Sequence, residues 1–156
     1  MNKDQTLDFE RLVMEHKSTI YSVCYMFTET KVEADDLFQE VLVSLWQGLG
    51  SYRGDASIRS WVYRVSMNTC ISYKRKKKIK TEPLEFSTES VSADSPQGKQ
   101  ARMLHDRISR LEPFDRAIVL LWLEDMSYDE IAAITGLSAK AVGLSLVRIN
   151  EKLKTL

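Results

Sequence analysis

The sequence predicts an all-α protein, two small helical domains joined by a flexible linker, with the C-terminal domain a helix-turn-helix. Three observations predict it. Apolar residues recur at three- and four-residue steps through most of the chain. No stretch sustains two-residue alternation, and Gly and Pro are sparse, 6 and 3 among 156 residues. Residues 81–100, TEPLEFSTESVSADSPQGKQ, are rich in Ser, Thr, Glu and Pro with few large apolar side chains. The domains are therefore set at 1–80 and 101–156, with 81–100 as the linker. A flexible segment of that length separates its ends by about 25 Å root-mean-square, which would let the two units sit apart on an elongated partner.

In the first domain, residues 8–27 place Phe9, Leu12, Val13, His16, Ile20, Val23, Cys24 and Phe27 on one apolar stripe. Residues 32–48 repeat the pattern through Leu37, Val41 and Leu45 and stop near Gly48 and Gly50. Ser57 is placed to cap a third helix, which packs Ile58, Trp61, Val62, Val65 and Thr69 before entering a lysine run. Cys24 and Cys70 sit singly within these apolar patterns and read as buried thiols, which suits a reducing cytoplasm.

Net charge is zero, but the charges are segregated. Residues 1–52 are −5, residues 53–80 are +8, residues 81–100 are −3, and the remainder balances. Such asymmetry implies an acidic surface for one partner and a basic one for another. The basic stretch, YRGDASIRSWVYRVSMNTCISYKRKKKIK at 52–80, is threaded with Tyr52, Trp61, Tyr63 and Tyr73. Cations follow a phosphate backbone and flat rings stack on unpaired bases, so the segment suits nucleic acid. A solvated charged face over core aromatics is the plainer reading of the same residues.

In the second domain, Leu111-Glu-Pro-Phe-Asp-Arg116 starts a strongly apolar helix, with Pro113 in its first turn. Ser127-Tyr-Asp-Glu130 is a capping box for a short helix carrying Ala132 and Ala133, at which a partner helix is expected to approach closely. Gly136 takes the left-handed C-terminal position, Leu137 plugs the core, and Ser138 caps a final helix through Lys154. Helix, Gly-containing turn, helix is the arrangement whose second helix enters the DNA major groove.

With these motifs in order, the chain resembles bacterial sigma factors of the sigma-70 family. LEPFDRAIVLLWLEDMSYDEIAAITGLS is similar to region 4, VEADDLFQEVLVSLWQ to region 2.2, and YRGDASIRSWVYRVSMNTCISYKRKKK to regions 2.3 and 2.4. Order, spacing and the short linker match the extracytoplasmic-function (ECF) group.

The resemblance implies core RNA polymerase as a partner, held by the acidic second helix through Asp35, Asp36, Leu37, Gln39 and Glu40. It implies promoter DNA as another, single-stranded at the −10 element and duplex at the −35 element. Trp61, Arg64, Asn68 and Tyr73 match the −10 contacts, Asn68 reading a base edge, while Lys74, Arg75, Lys76, Lys77 and Lys78 would hold phosphates. In the final helix Ser138, Lys140, Ala141, Leu144 and Arg148 are the expected −35 residues. That helix departs from the family pattern: Gly143, Ser145 and Asn150 stand where basic residues usually contact DNA, so weaker duplex binding is expected. An anti-sigma factor is the further partner implied.

Enzymatic chemistry is not expected: the sequence has no Gly-rich phosphate loop, no metal-ligand cluster and no nucleophile–His spacing, and implies no cofactor. His16 and His105 read as ordinary core or surface histidines. No apolar run approaches about 18 residues, so no membrane insertion is expected. The polar, acidic start MNKDQTLDFE is not a signal peptide, which points to a cytoplasmic protein. Two other functions fit parts of the pattern: a helix-turn-helix regulator that binds duplex operators without polymerase, and a sigma-derived adaptor that has lost promoter recognition.

Overall fold

A computed structural model describes residues 3–54, 57–80 and 96–155, and all regular structure among them is helical. The elements are α1 (Lys3–Met26), α2 (Lys31–Leu49), α3 (Ile58–Lys80), α4 (Pro96–Ser109), α5 (Pro113–Leu123), α6 (Tyr128–Thr135) and α7 (Ala139–Thr155). Helix α1 begins five residues before its apolar stripe. Helix α4 was not anticipated as an element, and its start at Pro96 makes the last five residues of the expected linker helical. Residues 81–95 of that linker lie outside the described residues.

Local chemistry sets the ends of the helices. Thr30 caps α2, its hydroxyl accepting Glu33 N–H at 3.1 Å, and Ser57 caps α3 through Ser60 N–H at 3.1 Å. Pro113 opens α5, where its missing N–H removes no bond. Ser127 and Glu130 form the full capping box of α6, and Gly136 closes that helix at φ 82°, a left-handed geometry that spares it a Cβ penalty. Ser138 Oγ accepts Ala141 N–H at 3.1 Å and starts α7.

The apolar stripes meet as the periodicity requires. Leu37, Val41 and Leu45 of α2, each fully buried, pack with Ile20, Val23 and Phe27 of α1 and Val62 and Met67 of α3. In the C-terminal unit Ile118 and Leu121 of α5 meet Ile131 of α6 and Val142 and Ile149 of α7. Ala132 packs against this core, whereas Ala133 is exposed.

The two units do not sit apart. Helix α3 packs on α5 and α6 as well as on α1 and α2, and α4 lies against α1. Their buried residues form one continuous cluster. Two polar side chains, His105 and Arg116, explain the docking. His105 of α4 places Nε2 2.7 Å from the Thr28 carbonyl and 3.1 Å from that of Tyr25, so this nitrogen carries the proton and donates into the C-terminal end of α1. Arg116 of α5 is buried, donates to the carbonyls of Ser109, Leu111 and Met26, and lies 5.2 Å over the Phe27 ring. Arg59 of α3 closes the other side by donating to the Glu124 carbonyl at 3.0 Å.

Candidate polymerase and nucleic-acid interfaces

Helix α2 presents two faces because its apolar stripe covers only one. Asp35, Asp36, Gln39 and Glu40 are exposed on the outer face. Leu37, expected among the polymerase contacts, is fully buried: it belongs to the stripe with Ala34, Val41 and Leu45, and the core takes it from the surface. Asp35 is partly engaged, accepting the Tyr21 hydroxyl at 2.8 Å; burial and this bond both push the Tyr21 phenol up from its ordinary range. Asp36, Gln39 and Glu40 thus make the freer acidic row.

That row forms one wall of a groove of about 630 Å³ between α2 and α3. Asn68, Ser72 and Lys76 of α3 stand on the opposite wall, and Thr69 ties the floor by donating to Ser44 at 3.2 Å. The structure therefore brings the amide expected to read a base, a lysine expected to hold phosphate and the carboxylates expected to bind polymerase to one concave surface. Arg64, Arg75 and Lys76 are exposed along the same helix, at positions where phosphates could reach them.

Several other described residues of the basic helix are engaged within the fold. The Trp61 ring packs over Gly48, where an added Cβ would lie 3.2 Å from Cζ2, and against Tyr52 at 5.3 Å between centroids. Tyr63 is buried, so it offers no base-stacking face; the enclosure raises its phenol pKa. Tyr73 donates to Glu33 at 2.7 Å, and burial followed by that carboxylate raises its pKa strongly. Lys77 is paired with the same Glu33. Lys74 is half-buried near Arg116 at the junction of the two units; desolvation first, then that guanidinium, lowers its pKa. Lys78 has no described side chain. An uninterrupted cationic face from 74 to 77 is therefore not what the fold presents.

At the start of α7, Lys140 and Leu144 are exposed, Leu144 at 64%, while Ala141 is half-buried and Ser138 is spent on the cap. Arg148 braces α7 on α5, its Nη1 and Nη2 both donating to Asp115 at 2.9 Å, and this pairing raises its pKa. Gly143 is covered by the Tyr128 ring of α6, whose Cε2 lies 3.3 Å from where a Cβ would stand. Its lack of a side chain is thus a packing feature as well as a lost contact.

No cluster of His, Cys, Asp and Glu suited to a metal ion occurs among the described residues, and no single helix among them is long and apolar enough to cross a membrane. Cys24 and Cys70 are free and buried; the neighbouring Cys24 thiol, then burial, raises the Cys70 pKa, which makes it a poor nucleophile.

Comparison with known proteins resolves the identity of this arrangement. Residues 12–79 match Sigma-70 region 2, and residues 101–153 match Sigma-70, region 4. The RNA polymerase sigma-E factor of Streptomyces antibioticus is 31% identical over 166 residues, covering 99% of this chain and 89% of that protein. The chain belongs to the sigma-70 family of RNA polymerase sigma factors. The ECF RNA polymerase sigma factor SigM of Mycobacterium tuberculosis, 27% identical over 95% of this chain and 76% of its own, places this sigma factor in the ECF group. RNA polymerase sigma factor YlaC of Bacillus subtilis is 28% identical over 93% of this chain and 89% of that protein. Among solved structures, the sigma factor RpoE of Bartonella quintana, in complex with the anti-sigma factor NepR, shares the fold at a TM-score of 0.76 and 17% identity, with 95% of each chain covered. CnrH, in complex with the cytosolic domain of CnrY, aligns at 0.70 and 24% identity over 94% of this sigma factor and 85% of that chain. As a sigma factor, the protein is a transcription initiation factor, and the reading as an operator-binding regulator is not favoured.

Proposed function

We propose that this sigma factor docks on core RNA polymerase through the exposed acidic row of α2, Asp35, Asp36, Gln39 and Glu40, and opens the promoter with the facing wall of α3. The observation that carries the reading is the shared groove. Asn68 stands across from Asp36, Gln39 and Glu40, with Lys76 beside it, so docking and strand capture would occur at adjoining surfaces. The Asn68 amide has both a donor and an acceptor for a base edge. Arg64, Arg75 and Lys76 would hold the backbone without reading sequence. Lys77 and Tyr73 act instead through Glu33, which both of them bind, and Lys74 is half-buried at the junction of the two units.

Region 4 would contribute a weak −35 contact, from Lys140, Ala141 and Leu144, with polymerase supplying effective concentration. The RpoE and CnrH structures are complexes with partner proteins, one of them named as an anti-sigma factor. We extend that partner class to this chain and place its action in the cytoplasm.

Run-off transcription with purified core polymerase and the full chain on genomic promoter fragments tests the reading. Defined transcripts that depend on the protein and disappear with Asp36→Lys are expected. Binding to core enzyme without any transcript would assign the chain to the adaptor class.

A further inference from the structure

Helix α7 carries a second stripe, opposite the one that enters the core. Lys140, Leu144, Val147 and Glu151 follow one another at steps of four, three and four residues, and so share one narrow face. All four are exposed, and Leu144 and Val147 each show 64% of their surface. Two apolar side chains so open, in the middle of a helix that a helix-turn-helix protein offers to duplex DNA, leave an unpartnered apolar strip with a cation at one end and an anion at the other.

We infer that this strip is a homodimer face on which α7 packs antiparallel against α7 of a second copy about a two-fold axis, with Leu144 against Val147 and Lys140 against Glu151. The register follows from charge. In an antiparallel helix pair, facing positions have a constant sum, and the sum that sets Leu144 opposite Val147 also sets Lys140 opposite Glu151. The two-fold axis makes both contacts twice, as an isologous interface requires. Moving the axis to put Val147 against itself would bring Lys140 to Lys154, and a parallel pair would bring like charges together at both ends. Each alternative is opposed by repulsion.

The flanks suit a close approach. Gly143 has no side chain, and in the same register it faces Arg148, whose guanidinium is drawn back to Asp115. Tyr128, 46% exposed, covers Gly143 and extends the apolar strip sideways. A single helix pair buries less than a standard stable interface, so the dimer is a weak one that forms as concentration rises. Its surface contains Lys140 and Leu144, so dimerisation and duplex engagement by α7 exclude each other.

Sedimentation equilibrium of the full chain over a rising concentration series tests this. The native chain is expected to pass from monomer to dimer. Lys140→Glu or Glu151→Lys alone should weaken dimerisation about tenfold or more, by placing like charges at both ends. An equimolar mixture of the two variants should dimerise again, because each supplies the charge the other lacks, and the double variant should recover on its own. Far-ultraviolet circular dichroism and thermal melting establish that each variant is folded. A native chain that stays monomeric to about 1 mM, a concentration that detects even weak association, overturns the inference. So does a dimer indifferent to both substitutions, or one that the mixture fails to restore. A monomer whose duplex affinity falls with Lys140→Glu and rises with Glu151→Lys would assign the face to DNA instead.

Discussion

Arg148 on α7 grips Asp115 on α5 with a two-pronged bond, Nη1 to Oδ2 and Nη2 to Oδ1, each at 2.9 Å. The two ends are unlike: the Asp115 side chain is 8% exposed and that of Arg148 51%. Removing the arginine leaves a buried carboxylate with only Lys152, at 3.7 Å, to answer it. Removing the carboxylate leaves a guanidinium that water can reach. Arg148→Met should therefore lower stability by about 1–3 kcal/mol, and Asp115→Asn by less. Urea midpoints of the full chain at neutral pH measure the difference. If Arg148 served mainly as a DNA contact, its loss would reduce duplex affinity and leave the midpoint unmoved.

Glu33 plays the corresponding role between α2 and α3. Burial alone would raise its pKa, but the bonds from Lys77 and Tyr73 outweigh it and hold the carboxyl below its ordinary 4.5. A carboxyl depressed in the folded state contributes stability above its unfolded pKa and loses that contribution as pH falls through the lowered folded value. Glu33→Gln should thus lower stability at neutral pH and flatten the loss between about pH 5 and pH 3. Urea midpoints across that range, for the native chain and the variant, should converge towards the acid end.

What the sequence made legible was chemistry between near neighbours. Ser127 with Glu130, Ser138, Ser57, Pro113 and Gly136 each act within one turn, and each stands where its residue type requires. The all-α class follows from the same short-range periodicity, and the assignment of regions 2 and 4 from the resemblance of whole motifs to a known family. The partners of charges were not legible, because a cation's sequence position says nothing of what the fold sets beside it. Lys77 meets Glu33 across 44 positions, and Arg148 meets Asp115 across 33. Lys74 is half-buried near Arg116, so a run that reads as one phosphate-binding face is divided among three environments. Leu37 shows the reverse case, since it fits both the docking motif and the apolar stripe, and only packing decides between them. His105 gave no signal, because its acceptors are main-chain carbonyls 77 and 80 residues away.

The acidic row of α2 should dominate docking without supporting the fold. Asp36→Lys reverses an exposed charge and is expected to weaken co-purification with core polymerase strongly at low salt, with helical content unchanged. Asp35→Lys should weaken docking and also cost some stability, since it breaks the Tyr21 bond. Equal recovery of native and Asp36→Lys proteins with core enzyme would remove this face from the interface.

Across the groove, Asn68 and Lys76 should separate by what they read. Asn68→Ala is expected to relax preference at one position of single-stranded −10 DNA, by about 1–3 kcal/mol of discrimination. Lys76→Ala should weaken every sequence alike and lower the salt slope by about one. Fluorescence anisotropy with polymerase-bound protein and single-base variants of the non-template strand distinguishes the two. Identical effects of both substitutions on all strands would refute the division.

The Tyr128 ring over Gly143 changes what repairing the final helix should achieve. On sequence alone, Gly143→Lys with Ser145→Arg would add two phosphate contacts and helix propensity, and so raise duplex affinity. In the fold, a Cβ at 143 would come within 3.3 Å of the ring, tighter than ordinary contact, so α7 or the ring must shift. Replacing a mid-helix glycine by alanine is worth about 1 kcal/mol where the site is open. Gly143→Ala should therefore yield less than that in the native background and nearly the full amount beside Tyr128→Ala. A double-mutant cycle on urea midpoints isolates the coupling between the two sites. Additive effects would show that the ring yields freely, and the charge repair would then act as the sequence alone suggests. A positive coupling would show that residue 143 is constrained by Tyr128, so that Gly143→Lys raises duplex affinity only when the ring is removed with it.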